Sequence, residues 1–485
     1  MSTELLQRLS QELQEKLGAR FVLSRPEELA AYECDGCVLI KKQPELVALP
    51  RTTDEVAFVV SRCREYGIPF TARGGGTGLS GGALAMRGGV LIGLNRMNRI
   101  LDIDLNNLTA TVEVGVVNAR LNEALAPHGL FYAPDPSSQS ACTIGGNIAE
   151  NAGGIHCIKY GVTSDHILGL EVVLPDGTVT WLGGQNRRSQ GPNLVSLMVG
   201  SEGTLGIITK AIVRLTQKPD VTRVYLAAFG SLTDAGAAVA AIIKQGIQPS
   251  ALEFMDAFTI KAVNEAFDVG FPEQAEAVLL IELDGHLLAV QEAEAKLRWI
   301  LEQHHAGQLK VGKTEAERQA LWKARKGTVA AYGRYLPAFY LHDCVIPRSQ
   351  LVPVLKKIQQ VAERYQLSIG NVFHAGDGNL HPNILFDPDD KAMVERALKG
   401  GEEILHACLA VGGTLSGEHG IGIEKAEYMG LQFSEASLEK MKLVKSVFDP
   451  AGLSNPEKIF PTRKGCGETR QGIENPMLSQ AGVWV

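Results

Sequence analysis

Residues able to do polar chemistry gather in two stretches of the C-terminal half. Residues 371–385 read NVFHAGDGNLHPNIL: an apolar run ends at His374, Gly376, Asp377 and Gly378 turn the chain, and a second run begins near Leu380. A hairpin of this design can bring the imidazoles of His374 and His381 together. Residues 412–422 read GGTLSGEHGIG and set Glu418 and His419 in another glycine-rich loop. Two imidazoles and one carboxylate make an open site for a divalent metal, with zinc or manganese the ions expected. Taken alone, two histidines at this spacing would read as hairpin residues making local hydrogen bonds. The Glu-His loop turns the reading toward a metal.

Arg325 adds a cation. Thr314, with Glu317 three residues on, has the pattern of a capping box that opens a helix. On that helix Leu321, Arg325, Thr328 and Tyr332 share one face. An arginine on a partly apolar face can point inward and clamp a carboxylate with two parallel hydrogen bonds. Spacing alone weighs this evenly against a solvated arginine in the basic run of Lys323, Arg325 and Lys326.

The N-terminal half carries a different signal, three separated loops rich in Gly, Ser, Thr and Asn. The first, residues 73–82, reads RGGGTGLSGG. It satisfies G-x-G-x-x-G, but a dinucleotide fingerprint must open a helix. Here Gly88, Gly89 and a strand follow too soon, so the loop joins strand to strand. What remains is a run of unobstructed backbone N–H groups, with hydroxyls at Thr77 and Ser80, that can cradle an anion such as a pyrophosphate. The second loop runs from Pro134 through Thr143, Gly146 and Asn147 to Gly153. The third spans Gly200 to Gly206 and includes Glu202. Three such loops suggest a long polar ligand lying across them.

Around these sites, strand and helix patterns alternate. Residues 45–49 read as a strand, 53–66 as a helix, 69–72 and 90–94 as strands, 108–114 as a half-buried strand and 117–128 as a helix. Residues 133–161 show no periodicity and read as a long functional loop. Residues 167–182 read as a β-hairpin. A break falls at Lys218, Pro219 and Asp220. Strands follow near 224–228, 277–283 and 339–346, with helices between. Leu6, Leu9, Leu13 and Leu17 recur at helical spacing near the start. The expected division is 1–219, 220–461 and a polar, flexible tail over 462–485.

Composition narrows the function classes. With 45% hydrophobic residues in 485, the chain can bury a large core, and a net charge of −7 argues against a nucleic-acid surface and a polybasic membrane patch. No apolar run approaches the ~20 residues of a membrane span, which leaves peripheral association as the most to expect of a membrane. Eight scattered cysteines suggest neither a disulfide framework nor an iron–sulfur cluster, and there is no signal-peptide pattern, so the cytoplasm is the expected compartment.

The order of the three glycine loops resembles the FAD domain of the vanillyl-alcohol-oxidase-type flavoproteins. The similarity is strongest to the branch holding the FAD subunits of bacterial glycolate oxidases and the D-lactate dehydrogenases, and it extends from about Pro44 to Pro461. The resemblance implies an α+β fold: a two-part FAD-binding domain followed by an α/β substrate (cap) domain with an FAD-linked oxidase C-terminal segment that returns to the flavin. It implies that Gly74, Gly75, Gly76, Thr77, Gly78 and Ser80 hold the pyrophosphate. Pro134, Thr143, Gly146, Asn147 and Gly153 would line the flavin, and Glu202, Gly206 and Ile207 would lie near the adenosine end. Some relatives attach the flavin through a histidine in the first loop; Thr77 stands here, so the FAD should be non-covalent. The same resemblance makes His374, His381 and Glu418 the metal ligands, His419 the catalytic base and Asn455 a cofactor or active-site contact. The spacing of Trp322 and Arg325 matches its substrate arginine.

The implied activity is oxidation of glycolate or D-lactate to the 2-oxo acid. A 2-hydroxy acid can chelate a metal through its carboxylate and hydroxyl, a Lewis acid lowers the hydroxyl pKa, and a neutral histidine can take the proton. Relatives that oxidise a dicarboxylate use a further lysine after the arginine helix; residues 338–342, AFYLH, have none. The branch also implies iron–sulfur and second flavin-type partner subunits. The alternative is a catalytically silent flavin-binding subunit of a larger redox complex, which would be expected to lack the His/Glu half. A metal hydrolase would leave the glycine loops without a purpose.

Overall fold

The computed structural model describes residues 3–37, 40–186, 191–267 and 270–461; the expected tail lies outside the described residues. The chain folds into two compact units. One comprises the N-terminal part to Gly153, Val162–Gln217 and the part from Glu418 onward; the other comprises Gly154–Gly161 and Lys218–Gly417.

The described part of the first unit holds two larger sheets and a two-stranded ladder of Leu130–Phe131 with Thr216–Gln217. In the smaller, Val22–Leu23, Leu46–Ala48, Val90–Gly93 and Phe70–Arg73 lie side by side, and the last two run parallel with Phe70 opposite Val90. Helix Thr53–Tyr66 starts where Thr52 accepts a hydrogen bond from the Glu55 amide and stops at Gly67, whose left-handed φ of 64° a side chain would resist. Helix Thr3–Leu17 buries Leu9 and Leu13 completely, each contributing roughly 1.5–3 kcal/mol of transfer free energy. The second sheet is antiparallel, in the order Ile100–Asp104, Thr109–Glu113, Ile207–Arg214, Ile167–Val173, Val179–Gly183. The expected hairpin is its edge: Asp176 and Gly177 turn the chain, with Gly177 at φ 87°.

The second unit is built on one large sheet. Its order is Leu309–Gly312, Val221–Phe229, Ala277–Gly285, Ala251–Asp256, Ser368–His374, Asn379–Leu380 and Cys344–Val345, with Pro382–Phe386 pairing both Ser368–His374 and Ala338–Leu341. Long strands such as Ala277–Gly285 are apolar for most of their length because they are buried on both faces.

Two readings need correction. The stretch 133–161 contains helices Ile144–Glu150 and Cys157–Tyr160. The first, IGGNIAE, is too short for an apolar period and carries two glycines; the Thr143 hydroxyl, accepting from the Gly146 amide at 3.3 Å, caps it. The stretch 339–346 is not one strand: it breaks at His342 and Asp343 into Ala338–Leu341 and Cys344–Val345.

Candidate active site

In the first unit the three glycine loops converge. Loop 74–82 leaves strand Phe70–Arg73 and runs against the second loop. A Cβ on Gly74 would collide with the Thr143 hydroxyl, one on Gly75 would lie 2.5 Å from the Ala141 carbonyl, and one on Gly82 would lie 2.5 Å from the Glu150 carboxylate. Gly76 takes φ 68°. The third loop is stitched to the same helix: the amides of Gly200 and Glu202 donate to the carbonyls of Ile148 and Ala149 at 2.9 Å each. Among the described residues, the backbone amides of residues 75–80 donate no hydrogen bond, and the buried Ser80 hydroxyl has no partner. Buried donors are ordinarily satisfied. A row of unused N–H groups in a cradle that a Cβ would fill fits the pyrophosphate of a dinucleotide.

The other expected cofactor residues lie in the same unit. Pro134 is buried and its carbonyl accepts from the Asn118 amide group at 2.9 Å. Asn147 is buried on the short helix, and Gly153 is buried at the end of its segment. Gly206, with φ 155°, leads into strand Ile207–Arg214, where Ile207 is buried. Glu202 points its carboxylate at the loop after His419, accepting from the amides of Ile421 at 2.8 Å and Gly422 at 2.7 Å. Asn455 is wholly engaged. Its amide nitrogen donates to the carbonyls of Gly82 and Glu202, at 2.9 and 2.6 Å, and its oxygen accepts from Thr71 and Lys458. Its side chain therefore ties the first glycine loop to the third.

Beneath these loops lies a charge cluster that the sequence pattern did not reveal. Burial pushes the Glu150 carboxyl well above the ordinary value, and neighbouring Glu202 and Asp35 push it further. Burial raises Asp35 to about 6 and depresses the Lys458 ammonium to about 8.

In the second unit a carboxylate organises the residues singled out for chemistry. Glu253, in strand Ala251–Asp256, lies directly opposite His374 across the antiparallel ladder. One of its oxygens lies 2.6 Å from His374 Nδ1, and the other accepts from Arg325 Nε at 2.7 Å. Burial alone would raise its carboxyl, but His374 and Arg325 outweigh it and hold Glu253 below the ordinary range. His381 meets His374 edge to face, with ring centroids 5.1 Å apart. His381 Nε2 lies 3.3 Å from Asp343, whose other oxygen accepts from Ser416 and from the Gly417 amide. Asn379, paired with His374 in the ladder, has a buried side-chain oxygen with no partner among the described residues.

Arg325 sits on helix Glu315–Lys326, opened by the expected Thr314/Glu317 capping box. The helix ends at Lys326, and Thr328 and Tyr332 belong to a separate short helix. Trp322, three residues before Arg325, donates its indole N–H to buried Glu282 at 3.0 Å. The two side chains thus each reach a buried strand carboxylate. Glu418 follows Gly417 in the chain, next to the amide held by Asp343, and the loop beyond His419 is held by Glu202 through Ile421 and Gly422.

Two family profiles match: "FAD binding domain" over residues 44–183 and "FAD linked oxidases, C-terminal domain" over residues 218–459. The glycolate oxidase subunit GlcD of Escherichia coli K12 is 45% identical over 94% of this chain and 91% of its own length.

The chain belongs to the FAD-linked oxidase family.

Among the family's members, the mitochondrial D-lactate dehydrogenase [cytochrome] of Arabidopsis thaliana is 32% identical over 86% of this chain and 74% of its own length. The fold is that of p-cresol methylhydroxylase, solved with substrate bound: TM-score 0.81 at 18% identity over 95% of this chain and 97% of the other. It is the α+β, vanillyl-alcohol-oxidase-type architecture, as the glycine loops implied. No helix among the described residues is long and apolar enough to cross a membrane.

Sequence reasoning missed Glu253, Asp343 and Glu282. Each is an acid set among mostly apolar neighbours, AL-E-FM, LH-D-CV and LLI-E-LD. A buried carboxylate must be paired, so these acids should have pointed to cationic or imidazole partners.

Proposed function

We propose that this chain is an FAD-dependent dehydrogenase that oxidises glycolate or D-lactate to the corresponding 2-oxo acid, working as the FAD subunit of a glycolate-oxidase-type complex in the cytoplasm. The similarity to glycolate oxidase subunits and D-lactate dehydrogenases supports the substrate class. The single observation that carries the chemistry is Glu253 holding His374 on one oxygen and Arg325 on the other. A catalytically silent flavin subunit would have no use for that arrangement.

FAD, bound without a covalent link, supplies a two-electron acceptor for the hydride on the substrate's C2. A divalent metal, zinc or manganese, supplies Lewis acidity at the substrate hydroxyl. His374, His381 and Glu418 are its ligands in this reading. With Nδ1 on Glu253, His374 would bind the ion through Nε2, the arrangement in which an outer carboxylate fixes a ligand imidazole. Arg325, anchored through Nε, keeps both terminal nitrogens for the substrate carboxylate. His419 accepts the hydroxyl proton at an imidazole nitrogen. The amides of residues 75–80 and the Ser80 hydroxyl hold the pyrophosphate. Iron–sulfur and second flavin-type subunits are the partners expected to take the electrons onward.

An anaerobic visible spectrum tests the reading. A yellow protein that bleaches on adding D-lactate or glycolate supports it, and the faster substrate identifies the preferred acid. A yellow protein that neither acid bleaches overturns it and favours the silent subunit.

A further inference from the structure

We propose that Glu253 is a positioning residue that sets the metal ligand His374 and the carboxylate clamp Arg325 together, so that metal affinity and substrate affinity depend on one buried carboxylate. The inference rests on the function proposed above and deepens it, by tying two affinities to a residue that the sequence motifs did not include.

Glu253 is fully buried on an interior strand, bonded to Ala277–Gly285 on one side and Ser368–His374 on the other. Its register is therefore fixed from both edges. Three residues along the same strand, Asp256 accepts hydrogen bonds from the Asn371 amide at 2.9 Å and from its side chain at 2.7 Å, pinning the same pair of strands a second time. The carboxylate divides its oxygens: one faces His374 Nδ1 at 2.6 Å and the other receives Arg325 Nε at 2.7 Å. Each partner is thereby held by one nitrogen, Nδ1 of the imidazole and Nε of the guanidinium, and turns its other nitrogens away from Glu253.

This division explains why the residue is glutamate. A glutamine would fill the same volume, but its NH2 would confront one of the two donors. An aspartate would keep the charge but withdraw it by one methylene. Either change loosens a ligand and a clamp at once, because among the described residues Glu253 is the side chain that reaches both.

The test compares the parent with Glu253→Gln, both loaded with FAD and stripped of metal. Mn2+ is titrated in, with free ion followed by its electron paramagnetic resonance, and KM for D-lactate and glycolate is then measured at saturating Mn2+. The expected result is Mn2+ binding weakened roughly 10- to 100-fold, the usual cost of losing a carboxylate behind a ligand histidine. KM should rise about 10-fold or more in the same variant, with FAD content unchanged. A merely architectural glutamate would lower thermal stability and leave the Mn2+ affinity of the folded protein unaltered. Affinity and KM both within twofold of the parent overturn the proposal, as does a change in only one of them. Should Glu253→Gln give no folded holoenzyme, Glu253→Asp, which keeps the buried charge, is read against the same limits. A parent that binds no Mn2+ overturns the metal-assisted reading itself, an outcome distinct from a parent that binds it and a variant that binds it equally.

Discussion

Replacing Asn455 with alanine should loosen the first unit and release its flavin. The side chain makes four hydrogen bonds in a buried setting: to the carbonyls of Gly82 and Glu202, from the Thr71 hydroxyl and from the Lys458 ammonium. Leaving a buried partner unsatisfied costs about 1–3 kcal/mol, most for a charged one. The residue also sits at φ 39°, a left-handed conformation that asparagine tolerates and alanine resists by roughly 1 kcal/mol. Allowing for partial relaxation, the loss is about 4 kcal/mol, or roughly 8–16 °C in Tm at ~2–4 °C per kcal/mol. Flavin fluorescence during a thermal ramp reads both unfolding and release. Asn455→Gly separates the contributions: it keeps the turn and should recover only about 1 kcal/mol. A Tm for Asn455→Ala within about 3 °C of the parent, with FAD retained, would refute the view that this amide ties the glycine loops together.

Other changes test other links. His419→Ala should retain FAD, seen in its visible spectrum, while kcat falls roughly 10²- to 10⁴-fold, the usual worth of a general base. Gly75→Ala drives a methyl against the Ala141 carbonyl, and the purified protein should carry much less FAD by absorbance at near-parental helix content. Asp35 gives a pH test. Its folded value of about 6 exceeds the unfolded value near 3.8, so the folded state favours the proton, and that contribution is lost as pH rises from about 4 to 6. Asp35→Asn should therefore gain stability relative to the parent at pH 8 and gain least at pH 4, the gap in unfolding free energy widening by up to ~2–3 kcal/mol across the window; a gap independent of pH would refute the assignment.

The parts of the molecule legible in the sequence were those governed by local rules. Helix Thr53–Tyr66 follows from its caps, the hairpin around Gly177 from its turn residues, and the rejection of a dinucleotide fold from the short distance between Gly82 and the strand at Val90. The glycine loops announced a ligand because so many glycines exceed what a turn requires. Non-local features were harder to see. Helix Ile144–Glu150 has too few residues to show a period. Glu253 meets Arg325 across 72 positions and His374 across 121, so only a sheet register could reveal that the three belong together. Asn455 is expected as a cofactor or active-site contact from its segment alone; the hydrogen bonds that fix its place in the fold reach partners as far off as Thr71, 384 residues away, which the sequence could not show.

The same long separations bear on how the protein is made. The first unit needs a segment that leaves the ribosome only after the whole of Lys218–Gly417 has been synthesised. Glu202 waits 219 residues for the Ile421 amide and 253 for the Asn455 side chain, roughly 10–50 s at 5–20 residues per second. By the end of that interval the second unit has all its own strands and can fold, while the first still exists as an unfinished half with its glycine loops untied. Closing contacts this remote is slow for entropic reasons. Flavin capture is thus expected to be the last event of biogenesis, and a nascent chain halted before Asn455 should emerge colourless and depend on chaperones.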